Sequence, residues 1–234
     1  MRRSPIRNFG KLYLVRHGES EGNIDIKKYD TTIDADIELT ERGVEQASEA
    51  GRVLANEVQK EPKLYTSGWS KKPVPYPTFF VSPYKRTLET YYEIHHAVKR
   101  ETAQVSNKKF IEDPRLREQE FRGKLSAFDY SQLKEQLDQG RFWYRYDQGE
   151  SIADTYDRST SFLLDRIQPC WGDRNSAVIV SHGMTIRCLL MRLLDLSVDE
   201  FLKLRNPKNC QVICLESNQY DQWELISKLE RRTS

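Results

Sequence analysis

Two of the four histidines share one local pattern, a short apolar run of β-forming residues followed by His-Gly, as at His17 and His182. In an open α/β sheet, ligands bind beyond the carboxyl ends of the strands, so both imidazoles would face one crevice if their strands are neighbours. Arg16 precedes His17, Arg86 lies one turn into a helix that follows another predicted strand, and Asn23 adds an amide. Guanidinium, imidazole and amide groups near helix N-termini suit a tetrahedral oxyanion. These residues therefore predict a phosphoryl-binding pocket.

Other residue types that could do chemistry lack such a context. His95 and His96 lie side by side in a predicted helix without a neighbouring glycine or strand end, so we expect surface or hydrogen-bonded residues there. The cysteines form no CxxC pair and no cluster with zinc-ligand spacing, which predicts reduced, buried thiols rather than metal ligands. Secretion with two disulfides is the alternative. The four cysteines are Cys170, Cys188, Cys210 and Cys214.

Predicted strands alternate with predicted helices along the chain. Strands are predicted at the β-forming runs 12–15, 78–81, 177–180, 210–215 and 222–226, with an extended segment at 104–112. The polar stretch up to Leu39 is expected to be loop. Helices are predicted after Thr40, from Ser82-Pro83 to about 99, near 130–137, from Ser151 to about 167, over 185–194 and from a Ser197/Glu200 capping box. Such alternation predicts parallel crossover units and an α/β layered fold.

One segment, residues 61–77, is unlike the rest. It contains four prolines together with Ser, Gly, Lys and Trp, a composition that disfavours regular structure. Long ordered loops often act as lids, so we expect a surface loop or lid here. Residues 1–234 otherwise contain no internal repeat, and we expect a single domain.

Composition excludes several classes of function. The chain has 37 Lys plus Arg against 35 Asp plus Glu, a net charge of +2, and no basic stripe, which argues against nucleic-acid binding. No stretch approaches the roughly 18–20 apolar residues of a membrane span, and the amino-terminal residues have no apolar region of a signal peptide. We therefore expect a cytoplasmic protein that binds neither nucleic acid nor membrane.

The segment Leu12-Tyr13-Leu14-Val15-Arg16-His17-Gly18-Glu19-Ser20, with Asn23 three residues on, closely resembles the signature of the histidine phosphatase (phosphoglycerate mutase-like) superfamily. Further motifs of that family are matched in the same order by Leu39-Thr40, Gly43, Gln46-Ala47, Ser82-Pro83, Arg86, Glu89-Thr90, Gly149-Glu150-Ser151 and Ser181-His182-Gly183. The resemblance covers about residues 11–190. It implies a three-layer α/β sandwich with a mostly parallel central sheet flanked by helices.

The resemblance also implies a role for each site residue. His17 would be the nucleophile that accepts the phosphoryl group, and a neutral imidazole needs one ring nitrogen held by a hydrogen bond so that the other faces phosphorus. The phosphoryl group would be bound and neutralised by Arg16, Asn23, Arg86, His182 and Gly183. Cationic groups and positioning supply most of the acceleration of such a reaction. No metal or other cofactor is implied, because the arginines and an imidazolium replace a divalent ion.

The proton donor to the leaving group matches Glu118 in Leu116-Arg117-Glu118-Gln119. A carboxyl crowded by phosphate charge tends to have a raised pKa, and the same group could later activate water. Glu120 is the alternative, two positions away, and Glu118 is preferred. Glu150 and Ser151 either cap a helix or lie near the pocket. Tyr84 and Thr87 stand where the family usually has small or aliphatic residues, so we expect altered packing.

Phosphatases and mutases both occur in the family. The chain lacks the longer segment with a Trp-Arg-Arg-type motif that mutases carry before Gly149, and this favours a phosphatase that hydrolyses small phosphomonoesters. The segment 116–121 and the aromatic cluster Phe142-Trp143-Tyr144-Arg145-Tyr146 resemble a phosphatase branch, and the cluster is expected to shape the leaving-group side. Candidate substrates are sugar phosphates, glycolytic metabolites and phosphopeptides. The alternatives are a cofactor-dependent phosphoglycerate mutase and a non-catalytic phosphate-pocket scaffold.

Overall fold

Six strands form one mixed sheet in the part of the chain that the structure describes. The computed structural model describes residues 11–60, 76–102, 110–121, 130–168, 176–218 and 222–227. The strands are β1 Lys11–Arg16, β2 Thr78–Val81, β3 Ile111–Glu112, β4 Ala177–Ser181, β5 Val212–Ser217 and β6 Trp223–Leu225. They lie in the order β3-β2-β4-β1-β5-β6. The pairings among β3, β2, β4 and β1 are parallel, and those that add β5 and β6 are antiparallel.

Helices pack on both faces of the sheet. They are α1 Glu21–Ile24, α2 Lys28–Thr31, α3 Glu41–Gln59, α4 Lys85–Thr102, α5 Tyr130–Gln139, α6 Ile152–Phe162, α7 Gly183–Leu193 and α8 Val198–Lys203. Two 3₁₀ turns cover Asp34–Asp36 and Pro114–Leu116, and α6 continues as a π-helical turn over Leu163–Ile167. Residues 19–39, predicted as loop, therefore contain α1, α2 and the first 3₁₀ turn, because short turns in a polar segment leave no apolar periodicity to recognise.

The central strand β1 shows why the fold has three layers. Tyr13 and Val15 pack into a core formed with α3 and α4. Leu12 and Leu14 point to the opposite face and pack into a second core with α6 and α7. A strand covered on both faces has an apolar run instead of an alternating pattern, which is the pattern at 12–15. The predicted three-layer α/β sandwich with a mostly parallel central sheet is confirmed.

The pairing of β1 with β4 brings two distant parts of the chain to one sheet edge. Arg16 lies opposite Ser181 in register, and the N–H of His17 donates to the carbonyl oxygen of Ser181 at 2.9 Å. Because these strands are parallel and adjacent, His17 and His182 follow neighbouring carboxyl ends. The strand adjacency on which the sequence argument depended is therefore confirmed.

Helix caps were partly predictable. The Thr40 hydroxyl accepts the N–H of Gly43, and capping boxes are present at Ser151/Asp154 and Ser197/Glu200, as predicted. The prediction that Ser82 caps α4 is wrong, since that helix begins at Lys85 and the Tyr84 carbonyl accepts its first hydrogen bonds. Ser82 contacts His182 instead.

Some predicted segments extend beyond the described residues. Residues 61–75 of the predicted loop 61–77 lie outside the described residues. In the predicted extended segment 104–112, Ile111–Glu112 form a strand, and residues 104–109 lie outside the described residues. Among the residues that the structure does describe, no helix is both long and apolar enough to cross a membrane.

Candidate active site

Two buried imidazole rings lie at the centre of the site. The ring centroids of His17 and His182 are 5.2 Å apart and the ring planes are inclined by 59°. Both side chains are almost completely buried. Each follows directly on the end of a central strand, so the sheet itself fixes the spacing between the two rings.

The ring of His17 is oriented by its own loop. Its Nδ1 atom lies 2.7 Å from the carbonyl oxygen of Gly18, and since a carbonyl can only accept, Nδ1 carries the hydrogen. The Nε2 atom is then left with a lone pair. Burial, reinforced by the charges of Arg86 and Arg16, holds the pKa of His17 well below its usual value. The hydrogen bond and the lowered pKa both favour the neutral imidazole that a nucleophile requires.

The loop after His17 packs tightly enough on α3 to require glycine at two positions. A Cβ on Gly18 would lie 2.4 Å from the Gly43 carbonyl oxygen, and a Cβ on Gly43 would lie 2.0 Å from that of Glu19. In addition, the N–H of Gly18 donates to the Thr90 hydroxyl of α4 at 3.0 Å. The two helices thereby hold the backbone that carries His17.

The ring of His182 has one nitrogen atom bound by the protein and one unpartnered. Its Nε2 atom lies 2.8 Å from the Ser82 hydroxyl, whereas Nδ1 is buried without a hydrogen-bond partner. Burial lowers the pKa of His182 well below its usual value, and the Arg86 charge adds to this effect. The ring of Tyr84 packs edge-on against His182 with centroids 5.0 Å apart.

Two arginines add positive charge beside the histidines, and each is held at Nη1. Nη1 of Arg86 contacts both the carbonyl oxygen of Asp34, at 2.5 Å, and its carboxylate, at 2.8 Å. Nη1 of Arg16 donates to the carbonyl oxygen of Pro207 at 2.8 Å. In both residues Nε is buried and has no hydrogen-bond partner. The Arg86 side chain is only 2 % exposed, so its charge is available almost entirely to groups inside the site.

Arg16 Nε, Arg86 Nε and His182 Nδ1 thus have the same property. Each is a buried nitrogen atom whose hydrogen-bonding capacity the protein does not satisfy. Buried polar groups without partners are rare in folded proteins and cost free energy. A bound oxyanion between the two arginines and the histidine pair would satisfy all three.

Asn23, also predicted to bind the phosphoryl group, is exposed at the edge of the site. Its Oδ1 accepts the N–H of Ser20 at 3.2 Å and Nδ2 of Asn209 at 3.0 Å. The same Asn209 Nδ2 lies 3.1 Å from the carbonyl oxygen of His17. With Oδ1 engaged in this way, the amide –NH₂ of Asn23 is the end left for a ligand. Asn209, which the sequence did not identify, therefore orients Asn23.

The two candidate acids are held differently. The Glu118 carboxylate accepts the backbone N–H groups of Met184 and Thr185 at 3.3 Å, so it lies at the N-terminus of α7, directly after His182. That helix begins at Gly183, where a Cβ would come within 3.0 Å of the Asn206 side chain. The Glu120 carboxylate instead accepts Nε of Arg117 at 3.1 Å. Glu118, not Glu120, is thus placed against the helix that follows His182.

The segment that carries Glu118 is held by a buried ion pair. Nε and Nη2 of Arg158 each lie 2.9 Å from a carboxylate oxygen of Glu150. The same guanidinium donates to the carbonyl oxygens of Arg115, Arg117 and Glu118 at 2.7, 2.9 and 3.0 Å. Burial is the largest single influence and acts to raise the pKa of Glu150. The hydrogen bonds and charge of Arg158, the N–H of Glu120 and the charge of Arg117 together outweigh it, so the pKa is lowered. Of the two alternatives for the Gly149–Ser151 motif, Ser151 caps α6 while Glu150 supports the Glu118 segment.

A stack of aromatic rings begins at Phe121, three residues after Glu118. Phe121 packs on Tyr146 with centroids 4.7 Å apart, and Tyr146 packs on Tyr144 at 5.2 Å. Trp143 is 62 % exposed and packs against Phe142 with centroids 4.9 Å apart. The predicted cluster is therefore divided: Phe142 and Tyr144 are buried, Tyr146 is partly buried and Trp143 lies at the surface. His95 binds the Tyr76 hydroxyl at 2.7 Å on α4 and takes no part in the site.

Metal ligands and reactive thiols do not occur in the described ranges. There, no group of three or more His, Cys, Asp or Glu side chains is arranged to hold a metal ion. Cys188, Cys210 and Cys214 are buried reduced thiols, and burial raises the pKa of Cys188 and Cys210 above the ordinary thiol value. Cys170 lies outside the described residues.

The mixed sheet between two helical layers, with paired histidines at adjacent strand ends, places the protein in the phosphoglycerate mutase-like α/β class. The family model of the histidine phosphatase superfamily, branch 1, matches residues 12–228, and the chain belongs to that family. The resemblance to this superfamily, inferred from the sequence motifs, is therefore confirmed.

The proteins similar to this chain include some named as mutases and some named as phosphatases. A phosphoglycerate mutase-like protein, AT74, from Arabidopsis thaliana is 36% identical over 92% of this chain and 67% of its own length. A 2,3-bisphosphoglycerate-dependent phosphoglycerate mutase from Mesorhizobium japonicum is 31% identical over 86% of this chain and 90% of its own. Among solved structures, a mycobacterial glucosyl-3-phosphoglycerate phosphatase complexed with VO3 covers 96% of this chain and 100% of its own, with a TM-score of 0.66 and 21% identity.

Proposed function

We propose that this protein is a phosphatase that hydrolyses phosphomonoesters of small molecules through a phosphohistidine intermediate on His17. The observation that carries the proposal is the set of three buried, unpartnered nitrogen atoms, on Arg16, Arg86 and His182, around a neutral His17. A phosphoryl group supplies the oxygen atoms that these nitrogens lack. Asn23 and the N–H of Gly183 complete the binding site at its edge and at the start of α7.

The first chemical step is transfer of the phosphoryl group to His17. Nε2 of His17 attacks phosphorus, the P–Nε2 bond forms, and the bond from phosphorus to the ester oxygen breaks in line with it. The leaving oxygen takes a proton from the Glu118 carboxyl group. Arg16, Arg86 and His182 stabilise the charge on the three equatorial oxygens, and the Gly18 carbonyl keeps the attacking ring in place through Nδ1.

The second step returns the site to its starting state. Glu118, now a carboxylate, removes a proton from water, which attacks phosphorus and breaks the P–Nε2 bond. Inorganic phosphate leaves, and Glu118 is protonated again for the next cycle. The carboxylate lies at the α7 N-terminus, next to His182, and this position supports both roles.

Hydrolysis is favoured over the mutase reaction by the charges next to Glu118. A mutase must hold the carboxylate of a phosphoglycerate, but Arg117 on this side already contacts the carboxylates of Glu120 and Glu150 at 3.1 and 2.5 Å. The mutase remains the second candidate because of the Mesorhizobium relative. A scaffold without turnover is disfavoured, because the chain has both histidines and both arginines in place.

A metal-free activity panel tests the proposal. Wild type in the presence of a chelator should release phosphate steadily from small phosphomonoesters, and the His17→Ala variant should not. The same protein, primed with a bisphosphoglycerate, should fail to convert 3-phosphoglycerate to 2-phosphoglycerate. Efficient primed isomerisation without phosphate release would establish the mutase, and absence of turnover on the whole panel would leave the scaffold.

A further inference from the structure

An acidic residue shares one of the two proposed phosphate-binding arginines. Asp34, in the 3₁₀ turn after α2, contacts Nη1 of Arg86 through both its backbone carbonyl and its carboxylate. The backbone carbonyl accepts a hydrogen bond from Nη1, the carboxylate Oδ1 forms an ion pair with Nη1 without accepting a hydrogen bond, and Nε of Arg86 has no hydrogen-bond partner. The Asp34 side chain is 32% exposed, whereas Arg86 is buried. Its negative charge is therefore not hidden within the pair.

Groups of both signs surround this pair. The Tyr29 hydroxyl is influenced electrostatically by Arg86, Asp34, Glu118 and Arg16, so two positive and two acidic groups lie around one point. Burial raises the pKa of Tyr84 to about 12, and the Asp34 charge acts in the same direction. Two arginines, Asp34 and Glu118 thus lie around Tyr29, and Tyr29 and Tyr84 present uncharged hydroxyl groups.

We infer that Asp34 selects phosphomonoesters whose alcohol portion is neutral or cationic, and disfavours those that carry a second anionic group. This inference deepens the proposed function and rests on the same phosphate site. The positive charges of Arg16 and Arg86 are already offset by the phosphoryl group together with Asp34. A carboxylate or second phosphate on the alcohol portion would be repelled by the charge of Asp34. A hydroxyl group would find acceptors and donors in Asp34, Tyr29 and Tyr84.

Three two-carbon esters isolate the charge of the alcohol portion. Phosphoethanolamine ends in an ammonium group, ethylene glycol phosphate in a hydroxyl and phosphoglycolate in a carboxylate. Their affinities can be measured by calorimetry on the His17→Ala variant, so that binding is tested without turnover. We expect phosphoethanolamine to bind about tenfold more tightly than phosphoglycolate, the order of effect of one charge at a partly exposed site.

The ratio of these two affinities then tests Asp34 itself. Asp34→Asn in the same background should reduce the ratio about fivefold, because the amide has no charge while the backbone carbonyl of residue 34 still accepts from Arg86. If the substitution also changes the position of Arg86, the affinity of all three esters changes alike, and this effect cancels in the ratio of the two affinities. Asp36→Asn, in the same turn but exposed and without a contact to Arg86, is the matched control and should leave the ratio unchanged. Inorganic phosphate binding checks that each variant retains the site.

Two results would overturn the inference: equal binding of the three esters, or a ratio that Asp34→Asn leaves as it was. Its failure is distinguishable from failure of the proposed function. If the affinities follow the charge but wild type releases no phosphate from any ester, the phosphatase proposal fails alone. If phosphate release depends on His17 but affinity ignores the charge, the role of Asp34 fails alone.

Discussion

The Ser82 hydroxyl lies 2.8 Å from Nε2 of His182, and the opposite ring nitrogen is buried without a partner. A neutral imidazole has one donor and one acceptor nitrogen. If the hydroxyl donates to Nε2, the hydrogen of the ring is on Nδ1, which then faces the site as a donor. Ser82 would thus set the tautomer through which His182 binds a phosphoryl oxygen.

Ser82→Ala should therefore lower kcat/KM about tenfold to a hundredfold while the protein stays folded. This range corresponds to loss of a hydrogen bond that supports a charged group, about 1.5–3 kcal/mol. Steady-state kinetics measures it, and Ser82→Thr should recover part of the activity. Ser159→Ala removes a different buried hydroxyl, bound to the Thr155 carbonyl on α6, and serves as control. Equal losses in the two alanine variants would show that Ser82 acts through stability alone.

Glu118→Gln should lower kcat by roughly a hundredfold to ten-thousandfold on alkyl phosphates, since a glutamine cannot donate a proton to the leaving oxygen. The loss should shrink on an ester of an acidic nitrophenol, which leaves without a proton. Glu120→Gln is the matched variant, and we expect less than about a fivefold effect because its carboxylate binds Arg117. The opposite pattern, with Glu120→Gln the sensitive variant, would assign the proton donor to Glu120.

Much of this arrangement could be predicted from the sequence, and the limit has a physical basis. His17, His182 and Arg86 follow or nearly follow strand ends, so local pattern and the rules of α/β sheets bring them together. Asp34 and Asn209 have no such signal, because their function comes from contacts with Arg86 and Asn23, which neighbouring sequence does not reveal. The same reason explains the wrong prediction for Ser82. A serine before proline predicts a helix N-cap, whereas the contact that Ser82 makes with His182 joins residues 100 positions apart.

Arg158→Lys should destabilise the protein by about 2–4 kcal/mol and lower kcat as well. Lysine keeps the charge but cannot make the paired contact with Glu150 or reach three carbonyl oxygens at once. Denaturant unfolding and steady-state kinetics measure the two effects. Arg145→Lys is the control, because its pair with Asp154 is exposed and contributes little. An Arg158→Lys variant with normal stability and kcat would contradict this role.

The free energy of unfolding should fall as the pH drops below about 6.5. The pKa values of His17 and His182 are lowered by burial and by Arg86, so the unfolded chain binds protons before the folded one does. Stability from these groups is complete above the unfolded pKa and is lost on acidification, by at most about 1.4 kcal/mol per pH unit for each histidine. Urea unfolding between pH 7.5 and 5 measures this slope. His17→Gln should make the dependence of the unfolding free energy on pH less steep, whereas His96→Gln should leave it unchanged. Identical slopes for wild type and His17→Gln would show that His17 is not held neutral.

The central claim is that phosphoryl transfer passes through His17, and trapping the phosphoenzyme tests it most directly. Wild type mixed with a fast phosphomonoester and denatured within the first turnover, without acid, should carry one phosphoryl group on His17 by peptide mass spectrometry. Brief acid treatment should remove that group, and His17→Ala should neither carry it nor release phosphate. A phosphoryl group on another residue, or normal turnover by His17→Ala, would contradict the account.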